Sequence, residues 1–178
     1  MRSIFFTVFV LTEVLAIAQL NRFMFHRYGP AEGLTSSSIS ALAEDPYGFI
    51  WIGTNDGLYR FDAYQFRQYR KSTEEHSQLP SNAISAIHPL PSGNMLIGTR
   101  SGLALFDSKK EVFEAISDTL LDIRITSIVT INDQEYWIGT RSGLYRLNLT
   151  SKAIQAYRYQ DDDASSLSSD GIVDLLLD

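Results

Sequence analysis

The chain contains no cysteine. If it is exported it carries no disulfide, so its stability rests on buried apolar area. Its 15 Lys and Arg are outnumbered by 21 Asp and Glu, giving a net charge of -6, and they are scattered rather than clustered. Affinity for phosphates comes from clustered cations, so nucleic-acid binding and a polybasic membrane patch are both excluded. The chain also lacks a nucleophile elbow, a phosphate loop, a CxxC pair and an HExxH pair. Neither a metal nor another cofactor is therefore expected. His26, His76 and His88 stand at no metal-ligand spacing and are expected at surfaces or edges. Asp161-Asp162-Asp163 lacks the Gly-x5-Glu continuation of a calcium loop and reads as a solvated connection.

The first residues, MRSIFFTVFVLTEVLAIAQ, combine one basic residue (Arg2), an apolar run from Ile4 to Leu11, and Ala16-Ile17-Ala18. This is the pattern of a cleaved secretory leader covering residues 1–18. Glu13 argues against a retained membrane anchor, because an ionised carboxylate is costly in hydrocarbon and the apolar run is too short to span.

What the chain has in abundance is internal repetition. Phe49–Asp62, Asn94–Asp107 and Glu135–Asn148 align with Ile, Gly, Thr, Gly and Leu at the same five positions, at offsets of 45 and 41 residues. That period belongs to four-stranded propeller blades and is too long for leucine-rich or ankyrin repeats. Turn residues divide each copy into four short apolar runs, so the expected fold is all-β, a partial β-propeller of four-stranded antiparallel blades. Asp45-Pro46-Tyr47-Gly48 reads as a type I turn, and Asn55-Asp56-Gly57 supplies a hairpin position with φ > 0. The third copy lacks the Pro and Gly of its first turn, which predicts a looser turn there. Gly57, Gly102 and Gly143 recur in the second turn, and Gly53, Gly98 and Gly139 are expected to admit a neighbouring sheet. Trp51 and Trp137, each inside an apolar second strand, are expected to be buried between blades.

Phe25-His26-Arg27-Tyr28 repeats the F-x-x-Y of Phe66–Tyr69 and reads as a leading last strand, and Ile172–Leu177 reads as a trailing first strand. One leading strand, three full blades and one trailing strand fall short of a ring. Residues 19–178 are thus expected to be the N-terminal part of a longer propeller, truncated in its fourth blade, that would associate if isolated.

GLTSSSISALAEDPYGFIWIGTNDGLYRFD and LPSNAISAIHPLPSGNMLIGT resemble the two-component regulator propeller repeat. The resemblance runs over residues 23–178, with Leu96 standing where the pattern has Trp. It implies an exported, periplasmic sensor region of a hybrid two-component system, anchored through a later segment in the inner membrane. Carbohydrate sensing by this region is implied with it, as are a downstream histidine kinase and a phosphorelay that lie outside these residues. The partners implied are an oligosaccharide-like ligand, the remaining propeller, transmembrane and kinase regions of the same polypeptide, and a second copy in a homodimer. This chain itself is not expected to be an enzyme. An exported lyase or hydrolase on the same fold, or a protein-interaction scaffold, stand as alternatives, because propellers host many functions.

Strand alternation puts the strand two–three turns and the blade-to-blade connections on one face. The candidate ligand residues are therefore Asn55, Asp56, Arg100, Ser101, Arg141 and Ser142, a polar set suited to hydroxyl-rich or anionic ligands. Arg100 and Arg141 occupy equivalent positions and can each hold a carboxylate or sulfate bidentately.

Overall fold

The computed structural model describes residues 25–72 and 78–177, so the expected leader and His76 lie outside the described residues. The first copy folds as β1 (Ile39–Glu44), β2 (Ile50–Thr54), β3 (Gly57–Phe61) and β4 (Phe66–Tyr69). β5 (Ile84–Pro89), β6 (Met95–Thr99), β7 (Gly102–Asp107) and β8 (Val112–Ala115) form the second. The third is β9 (Ile125–Asn132), β10 (Glu135–Thr140), β11 (Gly143–Asn148) and β12 (Ile154–Tyr157). Each copy is one four-stranded antiparallel sheet with its strands in sequence order, and β1, β5 and β9 lie side by side along the inner edge. The architecture is that of propeller blades.

Local chemistry explains the hairpin tips. In β2–β3 the register pairs Thr54 with Gly57, leaving Asn55 and Asp56 at the tip, and the other two blades repeat this with Thr99–Gly102 and Thr140–Gly143. The fully buried Thr54 hydroxyl donates to the Gly57 carbonyl at 2.8 Å and accepts the Asp56 N–H at 3.0 Å. Thr99 and Thr140 do the same for their own tips. Gly57, Gly102 and Gly143 adopt φ of 126°, 137° and 123°, a region in which a side chain is strained.

The blades meet through a second glycine. A Cβ on Gly53 would stand 2.7 Å from Ile84 Cγ2, and one on Gly98 would stand 2.6 Å from Ile125 Cγ2. At Gly139 the same position is taken by Ile172 Cγ2 at 2.9 Å. A missing side chain thus lets the first isoleucine of the next repeat reach the sheet. Around these contacts Trp51, Tyr69, Met95, Phe106 and Phe113 pack between blades one and two, and Leu96, Leu103, Leu120, Tyr136 and Tyr145 between two and three.

Strand one of every blade is irregular at its second residue, where Ser40, Ser85 and Thr126 each interrupt the register with β2, β6 and β10. Such a bulge re-aims a side chain. Ser40 uses it to donate to the Ile84 carbonyl at 2.7 Å, and Ser85 to donate to the Ile125 carbonyl at 2.6 Å.

Several expectations need correction. Residues 25–28 do not form a strand: Phe25 is exposed, and Tyr28 turns its ring edge onto Phe61 and Phe66. Residues 172–177 are not paired as a strand either, although the Ile172 N–H donates to the Thr140 carbonyl at 2.8 Å. In both cases no adjoining strand of the same sheet is present among the described residues to supply ladder partners. The first turn of blade three is tighter than expected, with only Asp133 and Gln134 between β9 and β10. The Asn132 side chain does the work of the missing Pro and Gly, accepting from the N–H groups of Gln134 (3.0 Å) and Glu135 (3.1 Å). Trp51 is buried at 1% exposure, but Trp137 is only half-buried.

Candidate functional site

The hairpin tips and the entries to strand one converge on one end of the inner edge. Backbone bonds fix this meeting: the Arg100 N–H donates to the Ala83 carbonyl at 2.9 Å, and the Arg141 N–H to the Arg124 carbonyl at 3.2 Å. The hairpin tips of blades two and three are thereby tied to the residues that enter strand one of their own blades. The result is a cavity of about 180 Å³ walled by Asn55, Arg100, Arg124 and Arg141, with Ser40, Ser85 and Thr126 deeper along the strand-one bulges.

Of the six residues expected at the site, Asn55, Arg100 and Arg141 line this cavity, and the other three do not. Asp56 turns away to form an ion pair with Arg70. Ser101 and Ser142 serve the hairpin instead, donating their N–H groups to Thr99 Oγ1 (3.1 Å) and Thr140 Oγ1 (2.9 Å). Asn55 Nδ2 donates to Ser38 Oγ at 3.3 Å across the entry to β1. Arg124 is a lining residue that the repeat pattern had not singled out. Its signal was positional: it stands immediately before Ile125, where the other copies have Ser38 and Ala83.

The charges in this cavity are unbalanced. Arg100, Arg124 and Arg141 are all exposed, and among the described residues none of the three guanidinium groups makes an ion pair or a hydrogen bond. Thr126 Oγ1 is buried without a hydrogen-bond partner. Ser40 and Ser85 have given their protons to neighbouring carbonyls and keep lone pairs for accepting. Chemically the site offers guanidinium donors, an amide and hydroxyl acceptors, and its lining holds no carboxylate or imidazole.

The opposite end of the inner edge has the reverse character. A shallower hollow of about 440 Å³ there is lined by Glu44, Asp45, Asp133, His88 and Tyr136. Asp45 is committed to its turn: Oδ1 accepts from the N–H of Tyr47 (2.9 Å) and Phe49 (3.0 Å), and Oδ2 from Trp51 Nε1 at 2.8 Å. His88 stands on β5, an edge strand of its sheet. It is half-buried, lies 2.8 Å from Thr130 Oγ1 by Nε2 and sets its ring edge-on to Tyr136, and burial pushes its pKa below the ordinary value. His26 is exposed. Asp161–Asp163 lie exposed away from either mouth, with Asp163 Oδ1 accepting from Ser165. Among the described residues no three His, Cys, Asp or Glu side chains are grouped to hold a metal ion.

Residues 33–56, from Gly33 through the first hairpin tip, match the family model of the two-component regulator propeller. Over that stretch the chain resembles the two-component regulator propeller repeat. A histidine kinase of Formosa agariphila, P4, is 37% identical over 82 residues, which cover 44% of this chain and 6% of that protein. This propeller therefore spans a small part of the curated relative it matches. Among solved structures, it superposes with a TM-score of 0.69 and 21% identity on the extracellular domain of a protein described as a hybrid two-component system of B. thetaiotaomicron, covering 82% of this chain and 21% of that one. A second B. thetaiotaomicron extracellular domain, described as from a one-component system, gives a TM-score of 0.57 at 16% identity, over 79% of this chain and 25% of that one. Virginiamycin B lyase from Staphylococcus aureus shares the fold at a TM-score of 0.54 and 13% identity, over 70% of this chain and 42% of the lyase. At these identities the likeness is one of fold. No helix among the described residues is long and apolar enough to cross a membrane.

Proposed function

We propose that this propeller is part of the exported sensor region of a hybrid two-component system, and that it receives a saccharide-type ligand at the hairpin-tip mouth. The observation that carries this reading is the convergence of Asn55, Arg100, Arg124 and Arg141 on one cavity, in a chain whose repeat is that of two-component regulators. Convergent donors and acceptors in a concave site fix the orientation of a hydroxyl-rich molecule. A ligand can switch a downstream kinase only by binding one arrangement of the sensor better than another. The rigid hairpin tips, tied down by Thr54, Thr99 and Thr140, are suited to reporting occupancy to whatever packs on that face.

A lyase or hydrolase would need an acid–base pair beside its substrate. The lining of this mouth has none, whereas Glu44, His88 and Asp133 stand around the opposite hollow. The decisive experiment is to reconstitute the intact protein in vesicles and measure phosphoryl transfer from ATP with and without added oligosaccharides. Ligand-dependent phosphorylation that disappears in Asn55→Ala and Arg141→Ala is expected. Saccharide binding that leaves phosphorylation unchanged would sink the sensor reading, and saccharide turnover lost in His88→Ala would favour the enzyme.

A further inference from the structure

We infer that the ligand at this mouth is an acidic saccharide, and that Arg100, Arg124 and Arg141 together hold its carboxylate or sulfate group. The inference rests on the saccharide reading above and narrows its chemical class.

In a chain of net charge -6, four other arginines of the blades find carboxylates: Arg60 and Arg67 share Glu111, Arg70 takes Asp56, and Arg146 takes Glu135, while Arg158 donates to the Tyr145 hydroxyl at 3.1 Å. Among the described residues the three at the mouth do not, although acidic residues outnumber basic ones. Gathering three like charges around one cavity without a counter-charge is unfavourable, and more so where protein lowers the effective dielectric. The arrangement is also not accidental to flexible loops. Arg100 and Arg141 each follow the buried threonine that anchors a hairpin, and Arg124 is joined to Arg141 by a main-chain hydrogen bond of 3.2 Å.

Chemistry then selects the ligand. A guanidinium is a planar fork that matches a carboxylate or sulfate bidentately, and three of them around one cavity leave every oxygen of such a group a donor. The volume of about 180 Å³ equals about six water molecules at roughly 30 Å³ each. That suits one charged group and the sugar ring bearing it. Asn55 and the hydroxyls of Ser40 and Ser85 then face the ring's own hydroxyls, and the unpartnered Thr126 Oγ1 stands on the same wall. A neutral sugar would leave the three guanidinium groups as unbalanced as they are without ligand.

The test is calorimetric titration of the intact protein with four probes: an oligogalacturonide, the same oligomer fully methyl-esterified, a sulfated disaccharide, and inorganic sulfate. The acid or the sulfated sugar should bind at least about tenfold more tightly than the ester. Arg124→Ala and Arg141→Ala should each weaken it about tenfold or more, with Arg→Lys recovering only part, as expected for one charge-assisted bidentate contact. Binding of the acidic probe should also fall as salt is raised. Because all three arginines are exposed, the variants should melt with the parent, which separates lost binding from lost folding. If ester and acid bind alike, or the arginine variants bind the acid unchanged, the acidic class is wrong while the saccharide reading survives. Arginine-dependent sulfate binding with no response to either sugar acid would keep the anion cradle and overturn the saccharide. Silence from all four probes would overturn both.

Discussion

Blades one and three carry the same residues on the same face, and those residues meet different fates. In blade one Trp51, Arg60 and Tyr69 share one face of β2, β3 and β4, and blade two packs against it. Phe106 sets its edge against Trp51 (5.1 Å) and Tyr69 (5.3 Å), and Glu111 reaches across to Arg60 at 3.1 Å and Arg67 at 2.6 Å. In blade three Trp137, Arg146 and Tyr157 occupy the equivalent places, and among the described residues no second sheet lies over them. Trp137 sets its ring edge-on to Tyr157 at 5.3 Å, and Arg146 folds back onto Glu135 of its own sheet at 2.8 Å, leaving its buried Nε without a partner. The pattern of side chains prepares a face for burial, and the neighbour decides how much burial is realised.

Removing the large ring should separate the two faces most. Trp51→Ala should cost about 3–5 kcal/mol, because it opens a cavity in a closed interface and strips the buried Asp45 of its indole donor. Trp137→Ala should cost less than half as much, and equal losses in denaturant unfolding of the intact protein would refute the comparison. Blade two shows how such a defect is repaired: Leu90 and Leu96 stand where blade one has Asp45 and Trp51, and both are buried. Replacing both partners of a buried hydrogen bond by apolar groups is close to neutral. The double change Asp45→Leu/Trp51→Leu should accordingly be less harmful than Trp51→Leu alone, with a favourable coupling readable from a double-mutant cycle.

A middle-sized effect is expected where blades touch through glycine. Gly98→Ala would force a methyl to within 2.6 Å of Ile125 Cγ2 and should destabilise by about 1–3 kcal/mol. Gly171→Ala, with its nearest neighbour at 3.8 Å, should be silent in the same melt.

The smallest difference concerns the acids. Glu111→Gln should lose about 1–2 kcal/mol, since its carboxylate serves Arg60, Arg67 and the Tyr69 hydroxyl at a partly covered interface. Glu135→Gln should lose less, and its loss should depend on pH. Hydrogen bonds from Arg146 first and Asn132 second hold the Glu135 carboxyl below its ordinary value of 4.5. Its contribution is therefore complete above pH 4.5 and disappears as pH falls through the lowered pKa. Glu135→Gln should flatten that acid limb of the stability curve, leaving the share of Asp62 and Asp107, whose carboxyls are lowered chiefly by the main-chain N–H groups of Gln65 and Lys110. An unchanged acid limb in Glu135→Gln would show that the pair with Arg146 contributes nothing.

Much of the fold was legible because its signals are short-range. Turn residues divided each copy into the four short apolar runs that fold as its four strands, and the glycine of each hairpin marked a φ that only local sterics require. The lining of the candidate cavity was half legible. Strand alternation placed Asn55, Arg100 and Arg141 at one mouth, but gave no reason for Asp56 to prefer Arg70 or for Ser101 and Ser142 to spend their N–H groups on threonine. Arg124 escaped notice because it lies on the connection rather than in the repeated motif. Residues 25–28 misled because F-x-x-Y describes a strand only when a partner strand stands beside it.

By itself, then, the order of residues determined the period, the four strands of each blade, the turns between them and the two kinds of glycine. All of these follow from backbone sterics and hydrogen bonding within a few residues. Tertiary structure alone decided which tryptophan is sealed and which stays half open. It also decided which arginines find carboxylates and which three gather unpaired at a mouth, because burial and charge balance depend on groups that residues far apart in the chain bring together.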